Sequence, residues 1–293
     1  MFAIAVHGGA GDWSAAPEAL VLDGVTQAAR AAVAILAAGG SALDAVVEAV
    51  RLLEDNPWFN AGTGSALTAS GEVEMDAAVM TGTHLASGGV ACIKRVRNPI
   101  LVARRVLEEG RHVLIAGEGA TAFARRCGFA DHDPVTPERR QAWERARRGA
   151  PPFGETLPPG TVGAVALDVA GELAAATSTG GTMLKLPGRI GDSPVPGAGN
   201  YATPQAAVSA TGLGELMLRM CAAKCVCDAV GQGRSAAEAV RDVLGKMAEV
   251  LGTDAGFIAV DRNGGLGIGH LTEHMPHAVA TADQPVPVAR MRA

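Results

Sequence analysis

The feature that most restricts this chain is an interruption. Residues 131–159 are rich in proline and carry a dense run of charge, PERRQAWERARRG, with little strand pattern. They read as an exposed, mobile linker with one short helix over residues 137–147. At Thr161 the pattern turns strand-like at once: TVGAVALD, a turn at Ala170-Gly171, then ELAAATST. The two runs predict a β-hairpin, so a buried strand begins where the linker stops.

The rest of the chain alternates between the two periodicities. Residues 3–6 read as a buried strand that ends in a glycine turn, HGGAG. Residues 20–38 form an Ala-rich helix closed by Gly39-Gly40, and Ser41 caps a second helix to about Leu53, with Asp44 at the capping-box position. Strands are expected over 72–80, 89–94 and 112–115, and helices over 99–109 and 120–126. After the hairpin come a loop over 188–199, a strand over 206–210 ending in TGLGE, and helices over 215–230 and 235–250. A last hairpin turns at Asn263-Gly264. Two helix layers around antiparallel sheets suit this order, an α+β fold in a single domain. Hydrophobic residues make up 48% of the chain, enough for a large core.

Several function classes drop out. A net charge of −5 argues against a general nucleic-acid binder, whose footprint is a basic patch. The start, MFAIAVHGGAGDW, has no basic segment before its apolar stretch, and the longest apolar run, residues 28–38, is short for a membrane span. A soluble, cytoplasmic protein with no membrane contact is expected. The five cysteines are scattered and odd in number, which does not suggest a disulfide framework; Cys221 and Cys225 are four apart, on one face of a helix.

Thr161 is an ordinary β-branched strand residue unless the chain is cut before it. A threonine hydroxyl is a weak nucleophile until a base takes its proton. A free α-amino group, pKa near 8, is a base built into the same residue, and only a chain beginning at Thr161 has it. Gly160 has no side chain to obstruct attack on its own carbonyl. Thr179 ends the partner strand of the hairpin, in reach of Thr161. Arg189 and Asp192 suit the carboxylate and ammonium of an amino acid, or form a plain surface ion pair. Thr211 and Gly212 sit where backbone N–H groups and a hydroxyl hold an oxyanion, or where a helix takes its cap.

The runs HGGAG, FNAGTGSALTASGEVEMDA, RNPILVAR, GEGA, GTVGAVALD, AATSTGG, GRIGDSP, GAGNYA and TGLGE resemble, in order, the plant-type asparaginase and isoaspartyl-peptidase family of N-terminal nucleophile hydrolases. The resemblance spans roughly residues 4–257. It implies a four-layer αββα sandwich, cut between Gly160 and Thr161 into fragments 1–160 and 161–293, assembled as a homodimer of such pairs. It implies that Thr161 attacks the β-carbonyl of asparagine or a β-aspartyl dipeptide. Thr179 and Asn60 match positions beside the nucleophile, and Thr211 and Gly212 those that stabilise the oxyanion. Arg189 matches the binder of the α-carboxylate and Asp192 that of the α-ammonium; Thr211, Gly212 and Gly214 also line the substrate. No organic cofactor is implied. A structural sodium ion is, held by the backbone carbonyls of Leu53, Glu54, Asn56, Phe59, Ala61 and Thr63, since a hard cation takes oxygen ligands.

The chain departs from the family in places. Met183-Leu184-Lys185 stands where Thr-Asn-Lys is usual, Pro159 stiffens the approach to the cut, and the tail HLTEHMPH drifts. His270, His274 and His277 are expected to fringe the pocket or the surface, and His7 to be structural. A glycosylasparaginase-like amidohydrolase, a protein-cutting relative of the taspase kind and an uncut, non-catalytic pseudoenzyme are the alternatives.

Overall fold

Side-chain alternation along the first strand settles two cores at once. In β1 (Ala3–His7), Ile4 and Val6 join one buried cluster while Ala3 and Ala5 join another. The computed structural model describes residues 1–14, 16–149, 160–251 and 255–293. In it β1 sits in an eight-stranded sheet with β2 (Met75–Thr81), β3 (Ser87–Ile93), β4 (Leu114–Ala116), β5 (Val162–Leu167), β6 (Leu173–Thr179), β11 (His277–Thr281) and β12 (Val288–Arg290), in the order β12-β11-β1-β5-β6-β2-β3-β4. A second sheet has the order β10-β9-β8-β7, from β7 (Asn200–Ala202), β8 (Ala206–Gly212), β9 (Ala255–Asp261) and β10 (Leu266–His270). The expected hairpin is β5–β6, with Val162 opposite Ser178. The short strands β7, β11 and β12 carry too little pattern to be seen in the sequence.

Helices α1 (Glu18–Ala37), α2 (Ala42–Asp55), α3 (Pro99–Glu109), α4 (Gly117–Arg126) and α5 (Pro137–Arg147) all bury residues in the Ile4–Val6 cluster. Ser41 caps α2 by accepting the Asp44 N–H at 3.0 Å. Helix α1 is long and apolar enough to cross a membrane, more so than the stretch marked in the sequence. It nonetheless lays Val21, Val25, Ala28, Ala32 and Leu36 into the core at helical spacing, as a core helix does. The opposite face of the large sheet, with Ala3, Ala5, Val165, Leu167 and Ala175, shares a cluster with Ala207, Ile258 and Val260 of the second sheet. The other face of that second sheet, with Val208, Ala210 and Phe257, meets α6 (Gly214–Met220), α7 (Ala222–Gly231) and α8 (Ala236–Leu251). The arrangement is α+β, as expected.

Two sequence expectations need correction. The described part of residues 131–159 is not an exposed linker: Arg139, Ala142, Trp143 and Ala146 of α5 are buried, and the Trp143 indole N–H donates to Thr68 O at 2.8 Å. Their i, i+3, i+4, i+7 spacing was hidden by the charges between them. Residues 150–159, where the rest of that linker and Pro159 fall, lie outside the described residues. The single helix over 215–230 is also two, α6 and α7, because Cys221 takes φ = 50°, so Cys221 and Cys225 do not share one helix face. A left-handed backbone costs an L-residue ~1–2 kcal/mol, least for Asn and most for β-branched side chains. Because Cys221 is exposed, Cys221→Asn is expected to raise the melting temperature and Cys221→Val to lower it, a spread of about 2–4 °C in calorimetry.

Candidate active site

Antiparallel pairing brings the ends of β1, β5 and β6 together at one end of the large sheet, and the end of β8 belongs to the second sheet. His7 ends β1, Thr179 ends β6, Gly212 ends β8, and Thr161 precedes β5. The β5–β6 register, one step beyond Val162 and Ser178, sets Thr161 across from Thr179. Both threonines are buried. The Thr179 hydroxyl accepts the Gly181 N–H at 3.0 Å. Asn60 fixes the same turn: its side-chain amide donates to Gly181 O at 2.7 Å, and its own carbonyl accepts the Gly180 N–H at 2.8 Å.

The HGGAG turn ties this end to the second sheet. A Cβ at Gly9 would lie 2.4 Å from Gly160 Cα, and Gly9 takes φ = 109°, so only glycine lets the two segments touch. The next residue, Ala10, donates its N–H to Thr211 Oγ1 at 3.0 Å. Gly160–Thr161 and Thr211 therefore touch neighbouring residues of one turn. That contact removes the alternative of Thr211 as a helix cap: the N-cap of α6 is Leu213, with no side-chain cap. His7 is buried beside the Thr161 backbone, and its Nε2 lies 2.9 Å from Ser209 Oγ. Burial lowers its pKa to about 3, outweighing the Thr161 backbone, which favours the charged ring. It is neutral.

The plain ion-pair reading of Arg189 and Asp192 is also wrong. Arg189 donates from Nε and Nη2 to the two carboxylate oxygens of Glu215, both at 2.8 Å. Asp192 is buried, its Oδ2 has no hydrogen-bond partner among the described residues, and burial pushes its pKa up to about 7 against the pull of the Arg189 charge. A Cβ at Gly214 would lie 2.7 Å from Asp192 Oδ1 and 3.1 Å from Arg189 Nη2, so this glycine leaves the pair open. Gly181, just past Thr179, has Arg189 Nη1 at 3.2 Å from the place of its missing Cβ. Arg189, Asp192 and Gly214 thus stand next to the Thr161–Thr179 turn.

Side chains that sequence reasoning missed hold this turn from behind. Glu54, expected to act only through its carbonyl, is buried and accepts the Ser178 hydroxyl at 2.6 Å and the Ile100 N–H at 3.0 Å. Burial still pushes its pKa up to about 8. His270, His274 and His277 are anchors: His277 is buried with Nδ1 2.8 Å from Met275 O, His274 Nδ1 accepts the Trp13 N–H at 3.4 Å, and His270 Nδ1 lies 2.9 Å from Thr272 O.

The family model described as Asparaginase (Asparaginase_2) matches residues 1–289. The chain belongs to the asparaginase family. It is 46% identical to a plant-type L-asparaginase of Pyrococcus furiosus over 95% of this chain and 96% of the relative. It is 44% identical to an isoaspartyl peptidase of Salmonella typhimurium over 94% of each. An isoaspartyl peptidase/L-asparaginase of Danio rerio is 43% identical over 89% of this chain and 86% of its own length. Leu184, where the resemblance leads one to expect an asparagine, takes φ = 61°. Asparagine visits that region readily, whereas leucine does so at a cost. Leu184 recovers some of it by packing on the main core and donating its N–H to Leu67 O at 2.8 Å.

Proposed function

We propose that this asparaginase-family chain is a self-cleaving N-terminal-threonine hydrolase of β-aspartyl amide bonds, acting on asparagine and isoaspartyl dipeptides. The observation that carries the reading is Asp192: a buried carboxyl with an unpartnered oxygen, next to an arginine and the Thr161 turn, suits an amino acid's ammonium and carboxylate. With both α-groups held, only the side-chain carbonyl reaches Thr161.

In maturation the Thr161 hydroxyl attacks the Gly160 carbonyl, the C–N bond breaks as the peptide shifts to an ester and frees the Thr161 α-amine, and water then hydrolyses the ester to release the Gly160 carboxylate and restore the hydroxyl. In turnover that amine takes the hydroxyl proton as Thr161 attacks the substrate β-carbonyl. Thr211 and Gly212 receive the oxyanion, and Thr179 orients the nucleophile. The amine protonates the leaving group, ammonia from asparagine or an amino acid from a dipeptide, and water hydrolyses the ester to aspartate.

The same reading carries the αββα sandwich, for which the buried clusters on both faces of each sheet are the support. It also carries fragments 1–160 and 161–293, their homodimer and a cytoplasmic setting, on the resemblance alone. A sodium ion on the carbonyls of Leu53, Glu54, Asn56, Phe59, Ala61 and Thr63 fits the turn that follows α2. Cβ atoms at Gly62 and Gly64 would lie 2.5 Å from Glu54 O and 2.6 Å from Pro57 O, so the turn gathers carbonyls around bare glycines. The ion would hold the turn that carries Asn60.

Intact-mass spectrometry before and after incubation with a β-aspartyl dipeptide tests the function. Two fragments meeting at Gly160–Thr161, with aspartate released, are expected. An uncut chain that releases no aspartate sinks the reading and favours the pseudoenzyme.

A further inference from the structure

The loop that carries Arg189 and Asp192 has no regular structure of its own, yet its position decides where a substrate's head group sits. Two carboxylates at the start of β2 hold it. Glu74 Oε2 accepts the Gly188 N–H at 2.7 Å, and Asp76 Oδ2 accepts the Gly191 N–H at 3.2 Å. Arg189 lies between those two anchor points. Both acids are buried. Asp76 is displaced from the β2–β3 ladder by the irregularity between Met75 and Ala77, and its Oδ1 takes the Cys92 N–H at 2.8 Å. On its other side Asp76 pairs in register with Thr179. One strand end therefore touches both the nucleophile's neighbour and the head-group loop.

The charges are balanced locally. The buried Lys185 donates to Glu74 O at 2.6 Å, and its charge together with that of Arg189 favours the Asp76 carboxylate, which burial opposes. Each acid gives one oxygen to a loop N–H and the other to a neighbour, Asp76 to the Cys92 N–H and Glu74 to Lys94 at 3.3 Å, while among the described residues Asp192 Oδ2 has no partner.

We infer that Glu74 and Asp76 are positioning residues that clasp the loop over 188–191 at both ends and so fix Arg189 and Asp192 at the distance from Thr161 that a β-aspartyl substrate spans. The inference rests on the proposed function. Without the clasp the loop is ordered only when substrate binds, and that ordering weakens binding. Once bound, the substrate restores the geometry, so turnover at saturation changes little. Self-cleavage uses none of these groups and is an internal control for folding.

The test is steady-state kinetics of mature Asp76→Asn and Glu74→Gln, with the mass of each variant and its melting temperature. Asp76→Asn is expected to cut itself at Gly160–Thr161, to raise KM for asparagine and a β-aspartyl dipeptide by about tenfold or more, the weight of a lost charge-assisted hydrogen bond, and to hold kcat within about threefold. The inhibition constant of aspartate should rise in parallel. Glu74→Gln is expected to follow in the same direction. Unchanged KM in both variants overturns the inference, as does loss of self-cleavage and melting temperature in both, which makes the acids mere scaffold. Arg189→Ala separates the two levels. If it leaves KM unchanged, the head-group reading itself fails; if it raises KM while the two acid variants do not, only the clasp fails.

Discussion

Thr161→Ala is expected to remain a single uncut chain and to lose hydrolysis of asparagine and β-aspartyl dipeptides by at least about 10⁴-fold, the scale of removing a covalent nucleophile. The two losses have one origin. In the proposed mechanism the hydroxyl that opens the Gly160 carbonyl is the one that later opens the substrate, and the base it uses in turnover exists only after the cut. Thr161→Ser keeps a hydroxyl and is expected to mature, more slowly, and to turn over. Alanine removes only the hydroxyl and one methyl group from a buried position just before β5, so the variant should fold, and its melting curve verifies that. Gel electrophoresis and an aspartate assay on the same preparations give the result. An uncut Thr161→Ala chain that still releases aspartate from asparagine would place the nucleophile elsewhere and end the mechanism.

What the sequence made legible was local. The β5–β6 hairpin, the Ser41 cap of α2 and the reciprocal Ser235–Glu238 box at the start of α8 are written in adjacent residues, and so they were readable. Thr161, Thr179, Arg189, Asp192 and Thr211 stood out by chemical type and by resemblance. What was not legible depends on partners far away in the chain. Glu74 and Asp76 look like the polar face of an alternating strand until a loop more than a hundred residues later places its N–H groups on them. An ion pair of Arg189 with Asp192, three residues on, was one of the two readings open to the sequence, but the partner of Arg189 is Glu215. Cys221 breaks a helix whose periodicity runs on through it, because the second sheet fixes α6 and α7 separately. The burial of α5 was masked by arginines that lie over Trp143 rather than away from it: the Arg140 and Arg147 guanidinium carbons sit 5.3 and 4.6 Å from its ring centre.

Asp192 carries the second large effect, and its sign follows from burial. An ammonium binds well only to the carboxylate form, yet burial has pushed this group up to about 7, with Asp76 and Glu215 adding to the rise and Arg189 opposing it. In the mature enzyme kcat/KM, which reports groups of the free enzyme, should therefore fall about tenfold per unit as pH drops below 7. The bound ammonium holds Asp192 ionised, so kcat should not share that limb; it follows the Thr161 amine, with a pKa near 8. Stability runs the other way. A carboxyl whose folded pKa lies above its unfolded value of 3.8 contributes stability that is complete below the unfolded pKa and lost as pH rises through the folded one. Added aspartate should then raise the melting temperature more at pH 8 than at pH 5. Asp192→Asn is expected to mature normally, lose about 100- to 1,000-fold in kcat/KM, the cost of a buried charge left without its partner, and lose the limb near 7 while keeping the amine's. Kinetics of both proteins from pH 5 to 9 decide it. A variant that keeps the limb near 7 assigns that proton to another group, and one with an unchanged KM removes Asp192 from the substrate altogether.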